Sequence, residues 1–128
     1  RGLGDVYKRQ PLSRVTLSHT DKEADLGYHH EILSSGVFVE YDQSLRQAND
    51  AKAPSAQLTA AMVGAGFVNQ IMMGTDGARR TLWSSLGGTP GLAWLYSGWT
   101  SKLIEAGLNQ SNIEQIFIAN PAKALSFN

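Results

Sequence analysis

The chain alternates short apolar runs with stretches of helical spacing, and each apolar run stops at a cluster of polar, ionisable residues. Val15-Thr16-Leu17-Ser18 is the first run and ends in His19-Thr20-Asp21. Asp25 to Leu33 follows with helical spacing (Leu26, Ile32, Leu33), and Gly36 sits where a helix would close. Val37 to Tyr41 is the second run and ends in Asp42-Gln43. After a polar loop from Ser44 to Ala53, Pro54 and Ser55 open a helix that carries Leu58, Ala61, Met62 and Ala65 and stops at Gly66. Gln70 to Met73 is the third run, ending in Gly74-Thr75-Asp76. A Gly-rich loop then runs from Gly77 to Gly91. Two closing helices are expected, Leu92 to Ala106 and Ser111 to Ala124, the second broken at Asn120-Pro121.

Strands alternating with helices in this way predict βα units and a parallel sheet. The runs are almost wholly apolar, as strands covered on both faces should be. In a (β/α)8 barrel all strands end at one face, and that face carries the active site. The clusters at His19/Asp21, Asp42 and Asp76 would then converge although they lie far apart in sequence. A simpler role is also open, because Asp and Thr after a strand can merely cap the next helix. That role suits Asp25 and Thr20. It suits Asp76 less, since Gly77 and a long loop follow it. A complete barrel needs about 250 residues, so 128 residues with three units read as the C-terminal part of a (β/α)8 TIM barrel, spanning residues 11–128. Residues 1–10, RGLGDVYKRQ, have no period of 2 or 3.6 and read as a non-native tail to be set aside. The chain has no initiator Met, so the lack of a leader pattern is uninformative.

Composition narrows the function. Eleven Lys and Arg balance eleven Asp and Glu, which argues against a nucleic-acid partner. No apolar run approaches the about 18 residues of a membrane-spanning helix. The chain has no cysteine, which excludes disulfides, thiolate metal sites and a cysteine nucleophile. Any metal must be held by His, Asp, Glu or a lysine-derived group. The same features give the expectation of a cytoplasmic protein acting on a small molecule, away from membranes.

Three stretches carry a resemblance to a known family. SRVTLSHTDKEADLGYHHEILSSGVFVEYD, residues 13–42, resembles the sixth and seventh βα segments of the phosphotriesterase family, metal-dependent barrels of the amidohydrolase superfamily. GFVNQIMMGTD, residues 66–76, resembles the segment leading into its eighth strand. LIEAGLNQSNIEQIFIANPAKAL, residues 103–125, resembles its terminal helices, with their Asn-Pro-Ala signature. Each motif is weak alone, whereas their order and spacing together are specific.

The resemblance implies two adjacent divalent ions, usually zinc, with manganese or cobalt as alternatives. It implies that His19 ligates the more exposed ion. It implies that Asp76 ligates the more buried one and takes a proton from the bridging hydroxide. The remaining ligands would be a His-x-His pair, a carboxylated lysine or glutamate, and a further histidine, all upstream of this chain. A divalent ion would lower the pKa of its bound water far below the bulk value, to about 7, and two ions about 3.5–4 Å apart would hold the resulting hydroxide and polarise the substrate oxygen. A carboxylate base beside the hydroxide adds about 10²–10⁴ in rate. Taken without the family, His19 reads better as a satisfied histidine at a strand end than as a ligand.

Two positions depart from the type enzymes, which relay the proton outward through a second acid and a histidine. Here Lys22 follows Asp21, and Gln43 stands where that histidine would be. An efficient organophosphate hydrolase is therefore not expected, and the related lactonases differ at just such loop positions. Arg79 and Arg80 follow Asp76 and suit bidentate bonds to phosphate or carboxylate. With Gln43 they are the expected substrate-binding residues, and they favour an anionic lactone or ester such as a phosphorylated sugar lactone. A structural ion pair is the alternative for either arginine and the better one for Arg80. Arg46 and Lys52 read as a solvated loop, and Trp83, Trp94 and Trp99 as core more than pocket lid. His29 and His30, adjacent on a helix, point to different faces and cannot form a zinc pair. They read as surface or packing residues.

The expected function is that of a binuclear-metal hydrolase acting on a lactone or phosphoester. The resemblance leaves a homodimer of the full-length protein open, and the isolated chain is expected to be inactive. The alternative is a barrel that has lost its upstream ligands and acts as a binding or scaffold protein.

Overall fold

In the computed structural model, residues 14–23, 25–74 and 92–125 are described. The expected tail (residues 1–10), Asp76, Arg79, Arg80 and Trp83 lie outside them. Three parallel strands form one sheet in the order β1-β2-β3: β1 (Thr16–Ser18), β2 (Phe38–Tyr41) and β3 (Ile71–Met73). Thr16, Leu17 and Ser18 lie beside Phe38, Val39 and Glu40, while Val39, Glu40 and Tyr41 lie beside Ile71, Met72 and Met73. Each crossover holds a helix, α1 (Leu26–Ser34) between the first two strands and α2 (Pro54–Gly64) between the second and third. This is the expected α/β arrangement, and it corresponds to three consecutive units of a (β/α)8 barrel.

Register and the two-residue period sort the side chains into two faces. Leu17, Val39, Tyr41, Ile71 and Met73 share the face on which the helices pack. There Val39, Tyr41 and Ile71 meet Leu33 of α1 and Met62 of α2, with Trp99, Leu103, Ile113 and Ile116 from the closing helices, in one core. The opposite face carries Thr16, Ser18, Phe38, Glu40 and Met72. The central strand β2 is covered on both sides: Phe38, Val39 and Tyr41 are all buried.

Local chemistry sets the helix ends. Asp25 caps α1, its carboxylate accepting from the Gly27 N–H at 2.9 Å. Gly36 and Gly66 follow α1 and α2 with φ of 96° and 99°, the left-handed conformation that closes a helix at little cost only for glycine. Thr20 does not cap a helix, contrary to expectation. It lies inside a 3-10 turn, Thr20–Lys22, and its hydroxyl has no hydrogen-bond partner among the described residues.

The closing region departs from two simple helices. Leu92–Tyr96 is a 3-10 helix, and only Gly98–Ala106 is α-helical (α3). Gly98 explains the break: a Cβ there would lie 1.9 Å from Trp94 Nε1, so the indole folds over a residue without a side chain. Trp94 also packs on the fully buried Trp99, which supports core over lid for both. The second stretch is α4 (Gln110–Glu114), a π-helical turn (Gln115–Ala119) and α5 (Asn120–Ala124). Pro121 lacks an N–H and crowds the preceding turn, and the widened π turn accommodates it. The break therefore begins one turn before Asn120-Pro121.

Asn120 has a clear task. Fully buried, it donates from Nδ2 to the carbonyls of Val68 and Ile71, both at 2.7 Å, and accepts from Gln115 Nε2 at 2.7 Å. It clamps the start of β3 to the last helix. Gln70 does the same between units, donating to the Leu33 and Val37 carbonyls. His29 is a packing residue: fully buried, its Nδ1 accepts from the Tyr41 hydroxyl at 3.0 Å and its Nε2 donates to the Glu23 carbonyl. His30 is exposed on the helix surface.

Two outcomes are expected. Asn120→Ala strips a buried three-bond junction and should lower stability by about 1–3 kcal/mol, read as a lower urea midpoint with unchanged m. Burial, aided by the Asp21 carboxylate, holds the Tyr41 phenol well above its ordinary 10.0. Above about pH 10 the unfolded chain releases this proton while the folded chain keeps it, so the unfolded state binds fewer protons and stability falls as pH rises, by up to about 1.4 kcal/mol per pH unit. Urea titrations between about pH 9 and about pH 11 should show this slope reduced in Tyr41→Phe. Equal slopes would refute the assignment.

Candidate active site

All three strands run in one direction, so their C-terminal ends share an edge where His19, Asp42 and Gly74 follow β1, β2 and β3. His19 leaves β1 in the left-handed region, with φ 61° and ψ 16°. For a non-glycine residue that conformation costs about 1–2 kcal/mol. His19 then opens the 3-10 turn, its carbonyl accepting from the Lys22 N–H. The ring is half exposed, and its Nδ1 pairs with Oδ2 of the buried Asp42. The other carboxylate oxygen of Asp42 accepts from Gln43 Nε2 at 2.8 Å. Gln43 thus turns its amide onto Asp42, and Gln43 is itself buried.

Asp21 lies beneath this pair. Its carboxylate accepts from the Asp42 N–H at 3.1 Å, the Gln43 N–H at 3.0 Å and the Ser55 hydroxyl at 2.7 Å. Burial pushes its pKa above the ordinary carboxylate value. Those three donors pull it back, and the neighbouring Asp42 carboxylate adds to the rise. Ser55 belongs to the first turn of α2. The residue before that helix, Ala53, has no side-chain oxygen to cap it and adopts φ 41°. Gln47, from a 3-10 turn in the preceding loop, does so instead: its Oε1 accepts from the Ser55 N–H and its Nε2 donates to Ser55 Oγ, both at 2.9 Å. The expected polar loop is therefore partly ordered and inward-facing, with Ser44 and Leu45 buried. Lys52 is exposed, as a solvated loop residue should be.

One layer below, the Ser18 hydroxyl donates to Glu40 Oε1 at 3.1 Å. Glu40 presses on the backbone of residue 74, where a Cβ would meet Glu40 Oε2 at 2.8 Å. Thr16, Ser18, Glu40, Met72 and Met73 line an open cavity of about 280 Å³, with Pro121 and Ala124 of α5 along its side.

The sequence profile of the Phosphotriesterase family matches residues 8–125. The chain belongs to the phosphotriesterase family. The phosphotriesterase homology protein of Escherichia coli K12 is 24% identical over 112 residues, which cover 88% of this chain and 38% of that protein. A crystal structure of a lactonase from Listeria monocytogenes superposes with a TM-score of 0.86 at 25% identity, covering 96% of this chain and 39% of the other. The crystal structure of the Escherichia coli homology protein, with phosphate in its active site, gives 0.79 at 24% identity, covering 88% and 39%. The chain thus spans under two-fifths of the length of these relatives.

The family implies divalent metal ions; of the two ligands expected in this chain, His19 lies among the described residues and is a residue type that can hold one. An imidazole whose Nδ1 donates to a carboxylate is the arrangement common to metal-binding histidines. Among the described residues no group of three or more His, Asp or Glu could hold a metal ion. Of the residues expected in the site, His19 and Gln43 are brought to one edge with Asp42. The sequence places His19 and Asp42 at neighbouring strand ends and so predicts that they approach each other; it does not specify their direct pairing. The roles of Ser55 and Gln47 had no sequence signal.

The Glu40–Gly74 contact yields a double-mutant test. Gly74→Ala should push the end of the flexible Glu40 side chain off Ser18 and destabilise the protein slightly, while the same change in a Glu40→Ala background should cost less. The coupling should be small, about 0.5 kcal/mol. Additive effects in urea denaturation would show that the contact carries no energy.

Proposed function

We propose that this chain supplies the sixth to eighth strands of a binuclear-metal hydrolase that opens a lactone or cleaves a phosphoester. The observation that carries this reading is the His19–Asp42 pair at the C-terminal edge of the sheet, in a chain of the phosphotriesterase family. His19 and Asp76 would hold the metal ions, with the other ligands contributed by upstream strands. The ions, zinc first among the candidates, would supply an activated water at neutral pH and polarise the substrate oxygen. Asp76 would accept the proton of the attacking water. Arg79 and Arg80 would bind an anionic group on the substrate through paired N–H donors.

Lactones are favoured over organophosphate triesters. Gln43 bonds to Asp42, and Lys22 is exposed, so neither reproduces a histidine–acid relay out of the site. The Listeria relative is a lactonase, and the Escherichia coli relative holds phosphate in its active site. Both fit a phosphorylated lactone as substrate. Two protein ligands seldom make a tight zinc site, so the 128-residue chain alone is expected to lack turnover.

The test uses the complete barrel protein with zinc or manganese and a panel of lactones and phosphoesters. Asp76→Asn should lower kcat by about 10²–10⁴ with the fold unchanged by circular dichroism. Arg79→Ala should raise KM for phosphorylated lactones more than for neutral ones. Full turnover in Asp76→Asn would refute the assigned base.

A further inference from the structure

We propose that Asp21, held by Ser55, is a positioning residue that sets the orientation of the His19 ring through the backbone at Asp42. The inference rests on the hydrolase reading for its purpose and on geometry alone for its operation.

Asp21 is buried. Both of its oxygens are consumed by donors: Oδ1 by the Asp42 N–H, and Oδ2 by the Gln43 N–H and the Ser55 hydroxyl. Two successive backbone amides at the end of β2 are therefore fixed to a side chain from the turn after β1. This fixes where the Asp42 side chain starts. Gln43 Nε2 engages Asp42 Oδ1, leaving Oδ2 to meet His19 Nδ1. A carboxylate in that place holds a proton on His19 Nδ1. The left-handed backbone at residue 19 places the ring within reach of Asp42. Ser55 is in turn gripped at N–H and Oγ by Gln47, so the loop after β2 and the first turn of α2 both feed the latch.

Asparagine at residue 21 would keep one acceptor and aim an NH₂ group at donors. Alanine at residue 55 would remove one of three donors and leave the backbone bonds in place. Asp21→Asn is the stronger perturbation and Ser55→Ala the milder one.

The readout is the imidazole tautomer in the metal-free chain, taken from long-range ¹H–¹⁵N correlation spectra of its three histidines. His29 serves as an internal control, since it is bound on the far face of the sheet by Tyr41 and the Glu23 carbonyl. Wild type should show His19 protonated on Nδ1 and His29 on Nε2. In Ser55→Ala and Asp21→Asn, His29 should be unchanged, and His19 should lose part of its preference for protonation at Nδ1, more so in Asp21→Asn. In the complete barrel, zinc affinity should drop by about 10–100-fold. A His19 tautomer unmoved in both variants, or one lost only together with that of His29, would overturn the proposal. A complete barrel that binds no zinc while its His19 tautomer responds as stated would refute the hydrolase reading and uphold the latch.

Discussion

One carboxylate, Asp21, collects three hydrogen bonds and joins three parts of the chain that are distant in sequence. It sits in the turn after β1, holds two amides at the end of β2, and meets a hydroxyl in the first turn of α2. A buried ionisable group is costly unless its hydrogen-bonding capacity is filled. Here that requirement forces the two strand ends and the helix into one relative arrangement. The edge where His19, Asp42 and Gln43 gather is thereby held by a side chain that need not touch a substrate.

The fold was legible because its signals are local. Strand and helix limits at β1, β2, β3, α1 and α2 fall within a residue or two of the apolar runs and glycine stops in the sequence. Where reading failed, the cause was contact between distant residues. Nothing in the spacing of residues 92 to 106 shows that the Trp94 indole must lie over Gly98, yet that contact splits the helix. Nor does the sequence say that Pro121 is accommodated by a π turn before it rather than by a sharp stop.

The site was legible in its parts and not in its wiring. His19 and Gln43 could be picked out by position after a strand. Position brings Asp42 near His19 as well, but does not specify their direct pairing. Ser55 and Gln47 look like ordinary helix-start and loop residues, and their role exists only because Asp21 comes between them and the strand end. Residue 43 also takes on structural meaning. The Gln43 amide restrains Asp42 and works as a brace.

Glu40 has an implication for the rest of the ring. It stands in the same row as Ser18 and Met72, on the face turned away from the helices, and Ser18 is its hydrogen-bond donor on this sheet. When neighbouring strands close over that row, the second oxygen loses its access to bulk solvent and needs a hydroxyl, a cationic side chain or a trapped water opposite it. Whatever polypeptide completes the enclosure is therefore constrained at one interior level, where an all-aliphatic filling would leave a stranded anion.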